Sequence, residues 1–244
     1  MLTLTRDIDR PKRIAMWSGP RNLSTALMYS FGARADCSVV DEPFYASYLH
    51  QTGLDHPMRD DILSAHEIEP RKVIQALTRP IQTPLQYQKH MAHHMLPGIS
   101  LDWAEDCQNV FLIRHPERVL ASYARKHEAV SLEDIGIVQQ VALYHRFGPS
   151  IVIDSADIRD NPRKMLGKLT QELGVSWDDN MLCWPKGGHA QDGIWAEHWY
   201  GAVHASTGFS GPEGPLPELP EAFQSIADAA MPYYLELAYA KLQL

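Results

Sequence analysis

A short apolar run, Ile14-Ala15-Met16-Trp17, breaks at Ser18-Gly19-Pro20 and is followed by Leu23, Ala26, Leu27, Tyr29 and Phe31 at near-helical spacing. Strand, tight loop and helix in that order form the unit of an α/β fold, and this unit restricts what the rest of the chain can build. A helix starting here turns unpaired backbone N–H groups and the positive end of its dipole toward the loop, which favours an anion. Ser24 and Thr25 add hydroxyl donors, and Arg21 adds a forked cation. Between Arg13 and Arg34 there are three arginines and no acidic residue.

That basic island stands in an acidic chain of 244 residues, with 22 Lys plus Arg against 30 Asp plus Glu and a net charge of −8. The balance argues against binding nucleic acid through a broad basic face and against docking on an anionic membrane. It leaves room for one small anion site, which needs only a few cations. Cys37, Cys107 and Cys183 are too few and too far apart for a disulfide scaffold or a structural zinc site. The charged start of the chain has no apolar core, and no apolar run approaches the ~20 residues that span a bilayer. A soluble, cytoplasmic protein is expected.

The α/β alternation continues downstream. Strands are predicted at Ser38-Val39-Val40, Leu85-Gln86-Tyr87-Gln88, Val110-Phe111-Leu112-Ile113 and Ile151-Val152-Ile153. Helices are predicted from about Pro116 to Lys126, over 132–147, and from Asn161-Pro162 to Gly174. Residues 44–83 are polar and helix-compatible, and Leu219 to Leu244 ends in a helix. Residues 184–215 carry Gly, Pro, Trp and His without periodicity and read as a long loop or lid. The whole reads as one domain over 1–244, with a parallel sheet covered on both faces.

The loop at residues 18–25 does not match the nucleoside-triphosphate pattern GxxxxGK[ST], which would put Lys and the metal-binding hydroxyl where Thr25 and Ala26 stand. Pro20-Arg21-Asn22-Leu23-Ser24-Thr25 instead resembles the P-[KR]-S-G-T-T loop of sulfotransferases that use phosphoadenosine phosphosulfate (PAPS). Leu23 replaces the glycine of that pattern. Arg114-His115-Pro116 through Ser122-Tyr123 resembles R-[ND]-P-x-[DE]-x-x-x-S-Y, whose Arg and Ser bind the donor's 3′-phosphate in the family. Ile153-Asp154-Ser155-Ala156-Asp157-Ile158, Asn161-Pro162 and Leu173-Gly174 resemble the Y-E-D-L, D-P and L-G tract. Trp184-Pro185-Lys186-Gly187-Gly188 with Asp192-Gly193-Ile194-Trp195 is a looser echo of R-K-G-x-x-G-D-W. The four stand in the family's order over residues 13–200.

The resemblance implies a P-loop NTPase-like three-layer α/β/α fold and sulfuryl transfer from PAPS to a hydroxyl or amine of a small-molecule acceptor, without metal. It implies donor contacts from Pro20, Arg21, Asn22, Leu23, Ser24, Thr25, Arg114 and Ser122, with Lys186, Gly187 and Gly188 closing over the 3′-phosphate. Arg21 is placed to stabilise charge on the leaving oxygen. Two contexts compete for the general base. Asp41-Glu42-Pro43-Phe44 resembles that of the catalytic Glu in glycan-type enzymes, and Lys89-His90 resembles the K-[TS]-H of the cytosolic type with the middle residue missing. His90 is favoured slightly, since imidazole titrates near neutrality, and His93 and His94 are further candidates. His90 and His94 also form an i,i+4 pair, but no acidic ligand accompanies them. The rival readings are a nucleoside-triphosphate-dependent phosphotransferase and a nucleotide-binding module without catalysis.

Overall fold

The first strand, β1 (Lys12–Ser18), buries Ile14, Ala15, Met16 and Trp17 completely, as a strand covered on both faces must. Alternation sends Ile14 and Met16 to one side and Ala15 and Trp17 to the other, each into its own apolar cluster. The computed structural model describes residues 11–124 and 130–244. Its sheet has five parallel strands in the order β2-β3-β1-β4-β5, with β2 (Cys37–Asp41), β3 (Leu85–Met91), β4 (Gln108–Ile113) and β5 (Ile151–Asp154).

One face of the sheet is covered by α1 (Ser24–Gly32), which follows β1 and buries Leu27, Met28 and Phe31. Between β2 and β3 run α2 (Tyr45–Thr52), α3 (Arg59–Ala65) and α4 (Pro70–Thr78). The opposite face receives α4, α5 (Pro116–Tyr123) and α6 (Ile137–Phe147). After β5 come α7 (Ser155–Asp160), α8 (Pro162–Glu172), α9 (Ala196–Trp199), α10 (Gly201–His204) and α11 (Glu221–Tyr239). Met165, Leu166 and Leu169 of α8 join the α1 side, and Phe223, Ala227 and Ala230 of α11 join the α5–α6 side. The three-layer α/β/α architecture follows. Each buried leucine contributes about 2–3 kcal/mol.

Local chemistry sets the ends of these helices. Asn161 Oδ1 accepts from Lys164 N at 3.1 Å and caps α8 one residue before Pro162. Lys12 Nζ, at the start of β1, donates to the carbonyls of Leu173 and Gly174 at 2.6 and 2.9 Å and closes the other end.

Several boundaries differ from the sequence expectation. α6 begins at Ile137 rather than 132, because Ser131 N and Oγ both donate to Asp134 Oδ2 and close a turn, and Gly136 then sits at φ +70°. β3 continues through Met91, so Lys89 and His90 are strand residues rather than the loop beyond. The expected end of α5 at Lys126 lies outside the described residues. The stretch 184–215 is anchored rather than open. It holds α9 and α10, and it buries Trp184, Trp195 and Tyr200.

The order of the strands positions the site. From β1 the chain moves to one side of the sheet and returns to the other at β4. The carboxyl ends of β1 and β4 therefore meet at a switch point, where loops diverge and leave a crevice.

Candidate active site

The loop after β1 folds tightly against its neighbours. A methyl added to Gly19 would lie 2.2 Å from the carbonyl oxygen of Ile135, so only glycine fits there. Asn22 Nδ2 donates to Leu112 O at 3.2 Å and ties the loop to β4. Arg21 and Leu23 both take left-handed backbone, at φ +62° and +72°. For side chains of that size this costs on the order of 1–2 kcal/mol each. The glycine of the family pattern thus marks a real conformational demand, which Leu23 meets under strain. Leu23 is the N-cap of α1 and makes no side-chain cap, and Ser24, Thr25 and Ala26, which line the cavity, open the helix, where backbone N–H groups have no intrahelical acceptors.

Arg114 and Ser122, 93 and 101 positions beyond Arg21, converge with it on this loop. Arg21 Nε donates to Ser122 Oγ at 2.8 Å, and Arg114 Nη1 donates to the carbonyl of Arg21 at 2.6 Å. Arg114 leaves the end of β4, and Ser122 stands two helical turns along α5, so both reach the same spot. They line one cavity of about 530 Å³ together with Pro20 to Thr25, Glu42 and Lys89.

The other wall carries a buried charge cluster. Lys89 Nζ donates to Asp41 Oδ1 at 2.9 Å and to Glu42 Oε1 at 2.7 Å, and it also contacts the Tyr200 hydroxyl. Tyr200 accepts from Trp195 Nε1 at 2.9 Å and donates to Asp41, while Gly193 N donates to Asp41 Oδ2 at 3.1 Å. Asp41 thereby holds the 193–200 segment against the strand ends. Burial raises the Glu42 carboxyl above its ordinary range, with Lys89 pulling the other way. Burial alone would depress Lys89, but Asp41 and Glu42 outweigh it and its pKa is raised. Glu42 sits at φ +38°, a second strained point at the cavity wall.

His90 is not at this site. Adjacent strand residues point to opposite faces, so with Lys89 turned to the cavity His90 turns away from it. Its ring stacks on Trp17 at 4.6 Å and packs near Trp103 at 5.2 Å, its Nε2 bonds Gln88 Oε1, and burial drives its pKa down to about 3. The residue missing from the K-[TS]-H spacing is the physical reason, since a two-residue step would keep both side chains on one face. His93 and His94, on the short turn after β3, do line the cavity. Burial lowers His93 to about 4 and His94 well below the usual imidazole range, so both are neutral. His90 and His94 do not share a helix face. Among the described residues no group of three or more His, Cys, Asp or Glu is arranged for a metal ion.

Lys186, Gly187 and Gly188 also lie elsewhere. Lys186 is exposed, and none of the three lines the cavity. Gly187 N donates to His204 O at 2.8 Å, and Asp192 accepts from Tyr29 and from His189 N, which folds this turn back over α1. Five cavity residues had no motif to announce them. Arg159 and Glu213 line the cavity beside Arg114, and Tyr45, Tyr48 and His56 line it beside His94. Arg159 follows the carboxyl end of β5, a place where ligand residues gather in parallel sheets, and that was its one sequence signal. Tyr45 and Tyr48 stack on His94 at 5.0 and 4.7 Å, and the Tyr45 hydroxyl bonds His56 Nδ1 at 3.0 Å.

No helix among the described residues is long and apolar enough to cross a membrane. In overall shape the chain is similar to the sulfotransferase domain of the Synechococcus PCC 7002 olefin synthase, with a TM-score of 0.55, 20% identity and 98% of each chain covered. It is similar also to a sulfotransferase from Alicyclobacillus acidocaldarius, with a TM-score of 0.59 at 12% identity, covering 96% of this chain and 97% of that one. In sequence it is 36% identical over 229 residues to branched-chain-amino-acid aminotransferase-like protein 1 of Arabidopsis thaliana, a match to 92% of this chain. A second protein of that plant, aminotransferase-like protein 2, is 34% identical over 226 residues. The chain spans about two fifths of the length of these curated relatives, 41% and 40%. The model of the sulfotransferase domain matches residues 12–240, nearly the whole of the structure described above, and the chain belongs to that family.

Proposed function

We propose that this chain, acting as one domain, transfers a sulfuryl group from PAPS to a hydroxyl or amine of a small-molecule acceptor, without a metal. The observation that carries the reading is the junction of Arg21, Ser122 and Arg114 at the N-terminus of α1, inside a cavity that also holds Glu42. The residues fit a polyanionic nucleotide. Arg114 Nε is buried and finds no acceptor among the described residues, and Ser24, Thr25 and Ala26 bring the first turn of α1 to the same cavity.

Each residue has a place in the transfer. Pro20 to Thr25 hold the 5′ side of the donor, and Arg114 with Ser122 hold its 3′-phosphate. The bond from sulfur to the bridging phosphate oxygen breaks as the bond from sulfur to the acceptor forms, and Arg21 meets the charge on the leaving oxygen. The acceptor proton goes to Glu42. That carboxylate lines the cavity, burial moves its pKa toward neutrality, and Lys89 and Tyr200 fix its orientation. His90 has no route to an acceptor. A cavity of about 530 Å³ shared with a nucleotide suits a small acceptor better than a polymer.

Thermal unfolding with adenosine 3′,5′-bisphosphate, compared with ATP and Mg²⁺, tests the donor. The bisphosphate raises the midpoint of the wild type and not of Arg21→Ala or Arg114→Ala. A rise with Mg-ATP alone points to the phosphotransferase reading. Turnover with PAPS over an acceptor panel then separates an enzyme from a binding module.

A further inference from the structure

Three arginines from two helices and a strand end converge on one carboxylate at the donor end of the cavity. Glu213 Oε1 accepts from Arg114 Nη2 and from Arg159 Nη1, the latter at 2.8 Å, and Oε2 lies 3.1 Å from Arg118 Nε. The Glu213 side chain is 3% exposed. The segment that delivers it, Gly211-Pro212-Glu213-Gly214-Pro215, belongs to no helix or strand, and its other residues are exposed. It is strapped down almost entirely by the same cations. Arg118 donates to the carbonyls of Glu213 and Gly214 at 3.3 and 2.6 Å, and Arg159 Nε donates to Gly211 O at 2.9 Å.

The three cations are not equivalent. Arg114 and Arg159 line the cavity beside Glu213, whereas Arg118 does not. One carboxylate oxygen therefore occupies the two guanidinium groups that a ligand would reach, and the other faces a guanidinium set behind them. A carboxylate and a phosphate suit the same guanidinium fork, and two anions on the same N–H groups repel each other. The ion-paired set holds three positive charges against one negative, so it can take a phosphate once the carboxylate moves aside. Gly214, at φ +71°, follows Glu213 directly and gives the backbone there room to turn.

We propose that Glu213 is a built-in stand-in for the donor's 3′-phosphate, and that Arg159 is the second guanidinium of that phosphate subsite beside Arg114. Without nucleotide, the carboxylate holds Arg114 and Arg159 in place. The 3′-phosphate takes those two arginines and Glu213 swings onto Arg118, while the backbone contacts of Arg118 keep the segment attached. A nucleotide lacking the 3′-phosphate brings nothing to displace Glu213. The inference rests on the donor reading given above and adds to it the residue that the donor must displace.

The test is calorimetric titration of the full chain with adenosine 3′,5′-bisphosphate, adenosine 5′-monophosphate and inorganic phosphate, using wild type, Glu213→Gln, Glu213→Asp and Arg159→Gln. Glu213→Gln binds the bisphosphate about tenfold tighter, Glu213→Asp shifts the same way by less, and Arg159→Gln binds it about tenfold more weakly. The monophosphate changes less than twofold throughout. Equal changes for both nucleotides, or weaker bisphosphate binding by Glu213→Gln, make Glu213 a structural clamp and overturn the proposal. If no nucleotide binds the wild type, the donor reading fails, and the inorganic phosphate arm still decides this one. Affinity for phosphate gained by Glu213→Gln and removed by adding Arg159→Gln upholds the stand-in, and no gain refutes it.

Discussion

Arg114 Nη1 donates to the backbone carbonyl of Arg21 at 2.6 Å, so the arginine at the end of β4 holds the loop after β1 in its strained, left-handed form. Arg114 makes this contact with Nη1 while Nη2 reaches Glu213, and the shorter lysine, with a single nitrogen, does not present donors at both positions. Arg114→Lys keeps the charge yet is expected to weaken adenosine 3′,5′-bisphosphate binding by about ten- to a hundredfold, the range of a lost charged hydrogen bond. Titration calorimetry on the variant measures it. Unchanged affinity would show that charge alone suffices there.

The strain at Leu23 has its own test. An alanine keeps a Cβ at φ +72°, and a glycine does not. Both lose the packing of Leu23 against the α1 side of the core. Leu23→Gly is therefore expected to be more stable than Leu23→Ala by about 1 kcal/mol, the reverse of the order inside a helix. Urea unfolding of the two variants gives the difference, and equal stabilities would mean that the loop relaxes.

The buried cluster at the cavity wall predicts a charge-specific instability. Lys89→Met leaves Asp41 and Glu42 together without their cation, which costs about 3–5 kcal/mol at neutral pH. Burial raises Glu42 and Lys89 is what holds it down, so without the cation its folded pKa rises further and the variant regains stability as pH falls and the carboxyl takes up a proton. The gap from wild type, read by denaturant unfolding, should be smaller at pH 5 than at pH 8. A gap independent of pH would assign the loss to packing.

Fold and site were not equally legible in the sequence. The sheet was readable because Ile14 to Trp17 and Val110 to Ile113 are apolar on both faces, which only a doubly covered strand allows. The convergence of the loop after β1 with Arg114 and Ser122 was readable because Gly19, Arg21, Ser24, Arg114 and Ser122 recur at spacings imposed by a strand end and a helix start. The placement of His90 away from the cavity was not, because register within β3 decides which of Lys89 and His90 meets the cavity, and the apolar pattern there does not reveal it. Glu213 was invisible for another reason, and Arg159 and Tyr200 carried no more than a position after β5 and a place among the aromatic residues of 184–215. Long-range packing joins them to the site, and no local periodicity marks them.

Glu42 and His90 separate cleanly by turnover. Glu42→Gln keeps the size and a hydrogen-bonding group beside Lys89 but cannot take a proton, so kcat is expected to fall by about 10²- to 10⁴-fold. In the wild type the rate rises with pH as Glu42 ionises, with a midpoint above the ordinary carboxylate range because the group is buried. His90→Phe, which matches the aromatic packing of Trp17, Phe44 and Trp103, keeps the same pH profile. Loss of turnover in His90→Phe with an intact fold would return the base to the histidines.

The buried histidines make the fold sensitive to acid in a defined window. Burial lowers His90 to about 3 and His93 to about 4, whereas an unfolded histidine titrates near 6.5. The unfolded chain therefore binds protons that the folded chain excludes, and stability present above about pH 6.5 is lost as pH falls toward 4. Each such group removes on the order of 1 kcal/mol per pH unit across that window. His90→Phe removes one of them, so its unfolding free energy should depend less steeply on pH between 6.5 and 4 than that of the wild type. Parallel slopes for the two proteins, measured by urea unfolding at several pH values, would mean that His90 stays charged in the folded state and that the aromatic cage around it admits water.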